Sequence, residues 1–391
     1  RDAQGREKTF SSAANKTPQA KTAHIPPPLH RLPACIPSMG STGTGNNMLQ
    51  LSVAPMMEVT TRHQRYFMRL LSRRSILYTE MVVDQTVHYN KDKLDRWYGH
   101  HESEHPLVLQ LGGKCESMIP AAAKLGEEWG FDEINLNVGC PSKTVSKHEF
   151  GARLMLKPDL VRNLVTNMQE QVSVPVTVKC RLGVDSFDDY SFVHDFVSSL
   201  PECDHFIIHA RKCLLNGLST KDNRTIPPLQ YEKVYKLCED FPDKKFTING
   251  GLTSVEQVKK VLEDGPNLHG VMIGRAAYND PCFMTKLEYS ILGETWCVDL
   301  TRRQVIEQYR DYCRKVYETG YVNPLHLIKP INNLLFGIAH AKTFKRILNP
   351  QDTRHTPETL LAAFDTILAD IPETILDIPI VDTVHHHEMP C

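Results

Sequence analysis

Between residues 51 and 291 the chain repeatedly switches its hydrophobic period, and this switching constrains the fold more than any other feature. Short apolar runs of strand character alternate with stretches in which apolar residues recur at helical spacing. The runs predict strands at 51–54, 77–81, 107–111, 133–138, 176–181, 206–209, 246–248 and 271–274. The stretches between them predict helices at 62–71, 117–129, 158–171, 190–199, 231–239, 254–262 and 276–291. Eight strands separated by helices over roughly 240 residues predict an α/β fold, a (β/α)8 TIM barrel. A doubly wound sheet is the alternative, but it usually has fewer strands and a break in the rhythm. The charged stretch 84–105, with Tyr89, Trp97 and Tyr98, reads as an excursion after the second strand.

Past residue 300 the strand signal stops, and helical spacing continues at 302–317, 325–336, 342–348 and 357–371. The expected division is a disordered N-terminal extension at 1–48, a barrel at 49–295, a small C-terminal helical domain at 296–372 and a disordered tail at 373–391. The first segment carries six prolines, and no acidic residue lies between Glu7 and Glu58. That composition suits a plain disordered tail or an organellar transit segment. The expected location is therefore cytoplasmic, or organellar if 1–48 directs import. The tail includes His385, His386 and His387, a cluster with weak metal-binding capacity.

With 45 basic against 46 acidic residues, the chain is no general nucleic-acid coat, so any contact with a polyanion has to be local. The local exception is 301–356, where ten Lys/Arg face four Asp/Glu for a charge of +6. Helical surfaces also carry charge for solubility alone, so this excess has two readings. The eleven cysteines are scattered, with no C-x-x-C pair, and show neither a zinc spacing nor a disulfide framework. A reducing compartment, no metal and a monomer are the expectations. No apolar run is long enough to span a bilayer, so no membrane role is expected.

If the strands close into a barrel, their C-terminal tips converge on one mouth. Those tips carry Pro55-Met56-Met57, Gln110, Asn137 with Cys140, Lys179 with Arg181, His209 with Arg211, Asn249-Gly250-Gly251 and Gly274-Arg275. Barrels bind phosphate at the loops after strands seven and eight, through backbone N–H groups, and Arg275 can add a charge-assisted contact. A lone Gly-Gly is usually just a turn, but here two glycine sites fall at the two expected tips. A lysine such as Lys179 is costly inside an apolar barrel unless an anion meets it, for example a reduced flavin ring. The alternative is an edge lysine facing solvent; for His209 it is a satisfied core histidine.

Cys140 follows a short buried strand through Gly139, which permits an unusual backbone angle, and Pro141 ends the strand. A buried structural thiol, a nucleophile, a metal ligand and a general acid are all open readings. No metal-ligand partner occurs at short spacing. A thiol that gives a proton to the carbon beside one that has accepted hydride fits a flavin site.

Nine phrases in order then carry a resemblance: Ser52-Val53-Ala54-Pro55-Met56, Leu77-Tyr78-Thr79-Glu80-Met81, Leu109-Gln110-Leu111-Gly112-Gly113, 132–142 around Cys140, Pro175-Val176-Thr177-Val178-Lys179, 206–212 around His209, Ile226-Pro227-Pro228-Leu229, Ile248-Asn249-Gly250-Gly251 and 270–275. The chain resembles the tRNA-dihydrouridine synthase family, in its bacterial A-type branch. The resemblance implies an FMN-binding barrel with a helical tRNA-binding domain that reduces D-loop uridines, at positions 20 and 20a, with NADPH. It implies that Pro55, Met56, Met57 and Gln110 lie along the flavin ring, that Lys179 and His209 contact it, and that Asn249, Gly250, Gly251, Gly274 and Arg275 hold its phosphate. Cys140 is then the acid, and Asn137 contacts the target nucleotide. Arg181, Arg211, Lys342, Lys345 and Arg346 are the candidates for tRNA contact. Two phrases depart from the branch: Arg153 stands where cysteine is common, and 323–330 lacks the usual Arg/His spacing. The competing readings are an FMN-dependent reductase of a free pyrimidine or other small ene compound, and a non-catalytic tRNA-binding protein.

Overall fold

The computed structural model describes residues 49–320, 322–350 and 356–383. The expectations for 1–48 and for the histidines at 385–387 lie outside the described residues. Eight parallel strands form a closed ring: β1 (Gln50–Val53), β2 (Ile76–Tyr78), β3 (Leu107–Gly112), β4 (Glu133–Asn137), β5 (Val176–Val184), β6 (His205–Cys213), β7 (Lys245–Asn249) and β8 (Gly270–Ile273). β1 pairs with β2 on one side and with β8 on the other, in a register running from Gln50↔Gly270 to Val53↔Ile273. An open doubly wound sheet would leave two edges; this ring leaves none.

Strand alternation decides what faces where. Leu109, Leu111, Ile134, Leu136, Val178, Cys180, Phe206 and Ile208 join the helices in the main core. Tyr78, Val108, Ile207 and Met272 form a separate cluster inside the ring. The other inward positions of β3, β4 and β5 are polar, among them Gln110, Asn135, Asn137 and Thr177, and all four are buried. β5 and β6 run beyond their expected tips, to Val184 and Cys213, with a register shift between Arg181 and Gly183. The single helix expected at 276–291 is two, Arg275–Asn279 and Cys282–Leu292. Pro281 stands between them, and its missing N–H ends the first.

The excursion after β2 begins with a two-residue strand, Val82–Val83, which pairs with β3, and continues as the helix Asp84–Tyr89 and short turns. It is tied down by a buried ion pair, Arg65 Nε to Glu104 Oε2 at 2.6 Å. The ring is also locked where its last helix meets its first loop. The fully buried Glu288 carboxylate accepts from Ser72 Oγ (2.5 Å), Arg74 N (2.7 Å), Ser75 N (2.9 Å), Arg73 N (3.1 Å) and Trp296 Nε1 (3.0 Å). A neutral amide cannot serve so many donors. Glu288→Gln should therefore lower the unfolding free energy by about 1–3 kcal/mol, read from the denaturation midpoint at unchanged slope.

Beyond the barrel, helices Arg302–Thr319, Pro324–Ile331, Ala341–Leu348 and Pro357–Asp370 pack around their own core. The first is started by a capping box, Thr301 with Gln304. Phe67 and Leu71 of helix Arg62–Leu71 belong to this second core, so that helix serves both parts. Tyr66 stacks on Tyr312 with centroids 3.8 Å apart, and the Tyr312 hydroxyl bonds His63 Nδ1 at 2.7 Å. The expectation of a disordered tail from residue 373 is corrected for 373–383. A short helix, Glu373–Leu376, and a turn, Ile380–Asp382, bury Leu376 and Ile380 against this core. The Ile380 N–H also donates to Leu300 O at 2.9 Å. The apolar residues of 375–381 are interrupted by Asp377 and Pro379 and show no helical or strand period, and the folded neighbour supplies their partner.

Candidate active site

The loop that carries Cys140 is held from three sides. Asn137, the last residue of β4, accepts from the backbone N–H groups of Gly139 (3.1 Å) and Cys140 (2.9 Å) through Oδ1. Arg181 Nε donates to Gly139 O at 2.9 Å, and Ala152 N donates to Cys140 O at 3.0 Å. Gly139 does not adopt the unusual angle expected of it. Glycine avoids a tight contact there, since an added Cβ would lie 3.3 Å from the Cys180 backbone on β5. Glu149 and Gly151 are the left-handed residues here, at φ +62° and +65°, and a Cβ on Gly151 would meet Cys140 O at 2.7 Å. Arg153, the departure noted in the sequence, is exposed.

Burial raises the Cys140 thiol above its ordinary pKa; Arg181, Arg224 and Lys179 pull in the opposite direction and do not overcome it. The sulfur therefore keeps its proton near neutral pH. Lys179 is on the inner face of a closed barrel, not at a solvent edge, and donates to Asn249 Oδ1 at 3.1 Å. Burial, then the Arg181 charge, lowers its ammonium to about 8. His209 is held well below the usual imidazole range by burial and by Arg181, Lys179, Arg211 and Arg224, so its ring is neutral. Among the described residues no carboxylate pairs with Lys179, Arg181, Arg224 or Arg275. A concentration of cations without counter-charges is a donor set for an anion.

The glycine loops provide the matching cradle. Gly250 and Gly251 stand at φ +121° and +73°, and a Cβ on Gly250 would meet the His209 ring at 2.7 Å. Asn249 Nδ2 donates to Met272 O at 2.8 Å, which ties β7 to β8 beneath the loop. Tyr231 Oη donates to Gly250 O at 2.5 Å. A Cβ on Gly274 would make only an ordinary contact, with Ala54 Cβ at 3.8 Å, and Arg275 donates to Arg224 O at 3.1 Å from the first turn of its short helix. Pro55 and Met56 are half-buried and Met57 is exposed on the loop after β1.

Two of the arginines expected on tRNA have partners within the fold. Arg181 is buried, and beyond Gly139 it donates to Lys212 O (3.0 Å) and Asn223 O (2.9 Å). Arg211 is also buried and donates to the carbonyls of Thr225 and Pro227. Both guanidiniums pin loops of the mouth, carbonyl partners that no sequence pattern announces. Arg224, in the turn Asp222–Arg224, was not singled out in the sequence although its charge reaches both Cys140 and His209.

The helical domain comes to the mouth through Lys329, which donates to the carbonyl of Glu58 on the loop after β1. Asn333 bonds Tyr278 O at 3.0 Å and accepts from Lys345 at 2.9 Å. Lys342 and Arg346, one turn apart on helix Ala341–Leu348, are exposed. Among the described residues no cluster of His, Cys, Asp or Glu could hold a metal, and no helix is long and apolar enough to cross a membrane.

A thiol that keeps its proton is a poor nucleophile, and its surroundings favour redox chemistry carried by a bound, anionic cofactor. The class so defined is a barrel oxidoreductase. A family model described as dihydrouridine synthase (Dus) matches residues 52–369, and the chain belongs to that family of flavin-dependent oxidoreductases. The tRNA-dihydrouridine(20/20a) synthase of Vibrio parahaemolyticus is 41% identical to it over 330 residues, covering 83% of this chain and 98% of the relative. The enzyme of that name from Escherichia coli K12 is 43% identical over 304 residues, covering 77% and 86%. That of Shewanella oneidensis is 40% identical over 325 residues, covering 82% and 94%.

Proposed function

We propose that this chain reduces the C5–C6 double bond of D-loop uridines in tRNA, with FMN as its cofactor and NADPH as electron donor, and that it acts as a monomer. The observation that carries the reading is the Cys140 thiol, fixed at a strand tip on a loop keyed to Asn137 and Arg181, where burial raises its pKa against the charges of Arg181, Arg224 and Lys179. The names of its relatives suggest uridines 20 and 20a as the target.

The donor set suits FMN. Asn249, Gly250, Gly251, Gly274 and Arg275 would hold the phosphate; Lys179, His209 and Gln110 would meet the ring, with Pro55, Met56 and Met57 along it. When bound, the flavin supplies the hydride that C6 of uracil takes up. As C6 gains hydride, negative charge builds at C5 and O4 of the base. Cys140 Sγ gives its proton to C5 and recovers one from solvent, so the base gains one hydride and one proton. Lys179 and Arg224 offset the charge while it lasts. Asn137 has an amide hydrogen left for a carbonyl of the base. The base must leave the RNA stack to enter such a mouth, so a separate surface has to grip the backbone. Lys342, Lys345 and Arg346 supply that surface, and the Lys329 link holds it in register with the mouth.

The test is NADPH consumption by the flavin-loaded protein with unmodified tRNA, compared with free uridine. Turnover on tRNA alone is expected; turnover on free uridine alone would favour a small-molecule reductase. Lys342→Ala/Lys345→Ala/Arg346→Ala should weaken tRNA binding about 10-fold and reduce its log–log salt slope by about 2. An unchanged slope would place the RNA surface elsewhere.

A further inference from the structure

The barrel interior holds a continuous line of side-chain hydrogen bonds that runs from its floor to the Cys140 loop. At the floor, Thr177 Oγ1 donates to Glu133 Oε1 at 2.6 Å, and Tyr78 Oη approaches the same oxygen at 3.4 Å. Asn135 Nδ2 donates to Thr177 Oγ1 at 2.9 Å, and Gln110 Nε2 donates to Asn135 Oδ1 at 2.8 Å. Asn137 Nδ2 donates to Gln110 Oε1 at 2.8 Å, and Asn137 Oδ1 accepts from the backbone at Gly139 and Cys140. Gln110, Asn135 and Thr177 are at most 2% exposed, so water does not compete for these bonds.

A terminal amide can be turned over at little cost when its neighbours allow it. These neighbours do not. At the upper end the two backbone N–H groups can only donate, so Asn137 must show them its oxygen. At the lower end Thr177 Oγ1 lies against Glu133, whose carboxyl is raised by burial to about 7; in its ionised form it accepts the Thr177 hydroxyl proton and leaves Thr177 to accept from Asn135. The backbone N–H groups at the upper end, and the lower end while Glu133 is ionised, demand the same sense for the three amides between them. Each amide nitrogen uses one hydrogen within the line and retains a second. With Glu133 ionised no other sense satisfies the whole line, and Gln110 and Asn137 each keep one amide hydrogen free to donate.

We infer that Thr177 and Glu133 are positioning residues that hold Gln110 and Asn137 in the donor-presenting sense from the floor of the barrel. The inference rests on the proposed reading for what those donors meet: a flavin ring acceptor at Gln110 and a carbonyl of the target base at Asn137. Thr177 and Glu133 touch neither partner. Their effect passes through the line, whose buried amides cannot rearrange independently.

Thr177→Val removes one hydroxyl at constant shape, and Asn135→Ser shortens the middle link as a second break. Each is purified with flavin and read by melting temperature, visible flavin spectrum, tRNA affinity, and kcat and KM for uridine reduction. In a folded variant the flavin spectrum should shift and kcat fall about tenfold, with tRNA affinity and KM unchanged. Thr177→Ser, which restores the hydroxyl, should return both. A folded Thr177→Val with native spectrum and kcat would overturn the inference, as would a Thr177→Ser as impaired as the valine variant. If Thr177→Val does not fold, the same readings on Asn135→Ser decide. Failure of the wild-type protein to reduce uridine would instead remove the proposed function, and the spectral shift would still report the sense of Gln110.

Discussion

Cys140→Ala is expected to slow uridine reduction by roughly 10²–10⁴-fold while leaving flavin and tRNA binding intact, since general acid catalysis by a placed side chain contributes about that much. The expectation follows from the loop. Its geometry is set by main-chain bonds from Asn137, Arg181 and Ala152, none of which involves the sulfur. Alanine removes the proton source and leaves the scaffold. Burial keeps the thiol protonated, so the wild-type rate should hold through neutral pH and fall only once the pH approaches the raised thiol pKa. Single-turnover formation of dihydrouridine, with flavin content measured on the same sample, checks this. Equal rates for the two proteins would remove Cys140 from the chemistry.

Lys179→Met should weaken flavin binding roughly 100-fold, about 2–3 kcal/mol, the usual worth of a hydrogen bond to a charged group in a sheltered site. Its pH signature distinguishes it from a packing defect. In the cofactor-free protein burial lowers the ammonium to about 8. Between that value and the ordinary lysine range the unfolded chain carries a proton that the folded one has shed. The stability of the cofactor-free protein therefore rises with pH across that window. Flavin binding has the opposite sign. An anion beside Lys179 draws its pKa back up, so binding takes up a proton and affinity falls as pH rises above about 8. Both slopes should vanish in Lys179→Met. Titrations with FMN and thermal melts across that range measure them; an affinity that stays flat in the wild type would put the anion away from Lys179.

Much of this was legible before any coordinates, for a physical reason. Burial imposes its period on the chain, so eight short apolar runs separated by helical stretches could close only a few ways. The strand–Gly–Cys–Pro pattern likewise placed Cys140 at a strand tip, because proline and a close strand approach leave local traces. What stayed hidden depends on who the neighbours are. Arg181 and Arg211 read as cations facing RNA, and only the fold shows that they also donate to backbone carbonyls of the mouth loops. Glu133, Asn135 and Asn137 sit at alternate positions of one strand, so their shared inward face was readable. Their partners on β3 and β5 became known only with the register Gln110↔Asn135 and Asn135↔Thr177. The break at Pro281 had a plain local signal that helical spacing overrode.

The central claim, that this barrel passes reducing equivalents to uracil in tRNA with Cys140 as the acid, is tested most directly by one anaerobic mixing experiment. The flavin-loaded protein is reduced, freed of NADPH and mixed with unmodified tRNA. The account predicts that flavin absorbance returns in step with dihydrouridine, in equal amounts. Flavin that stays reduced in the presence of tRNA, or reoxidises without forming dihydrouridine, would contradict it.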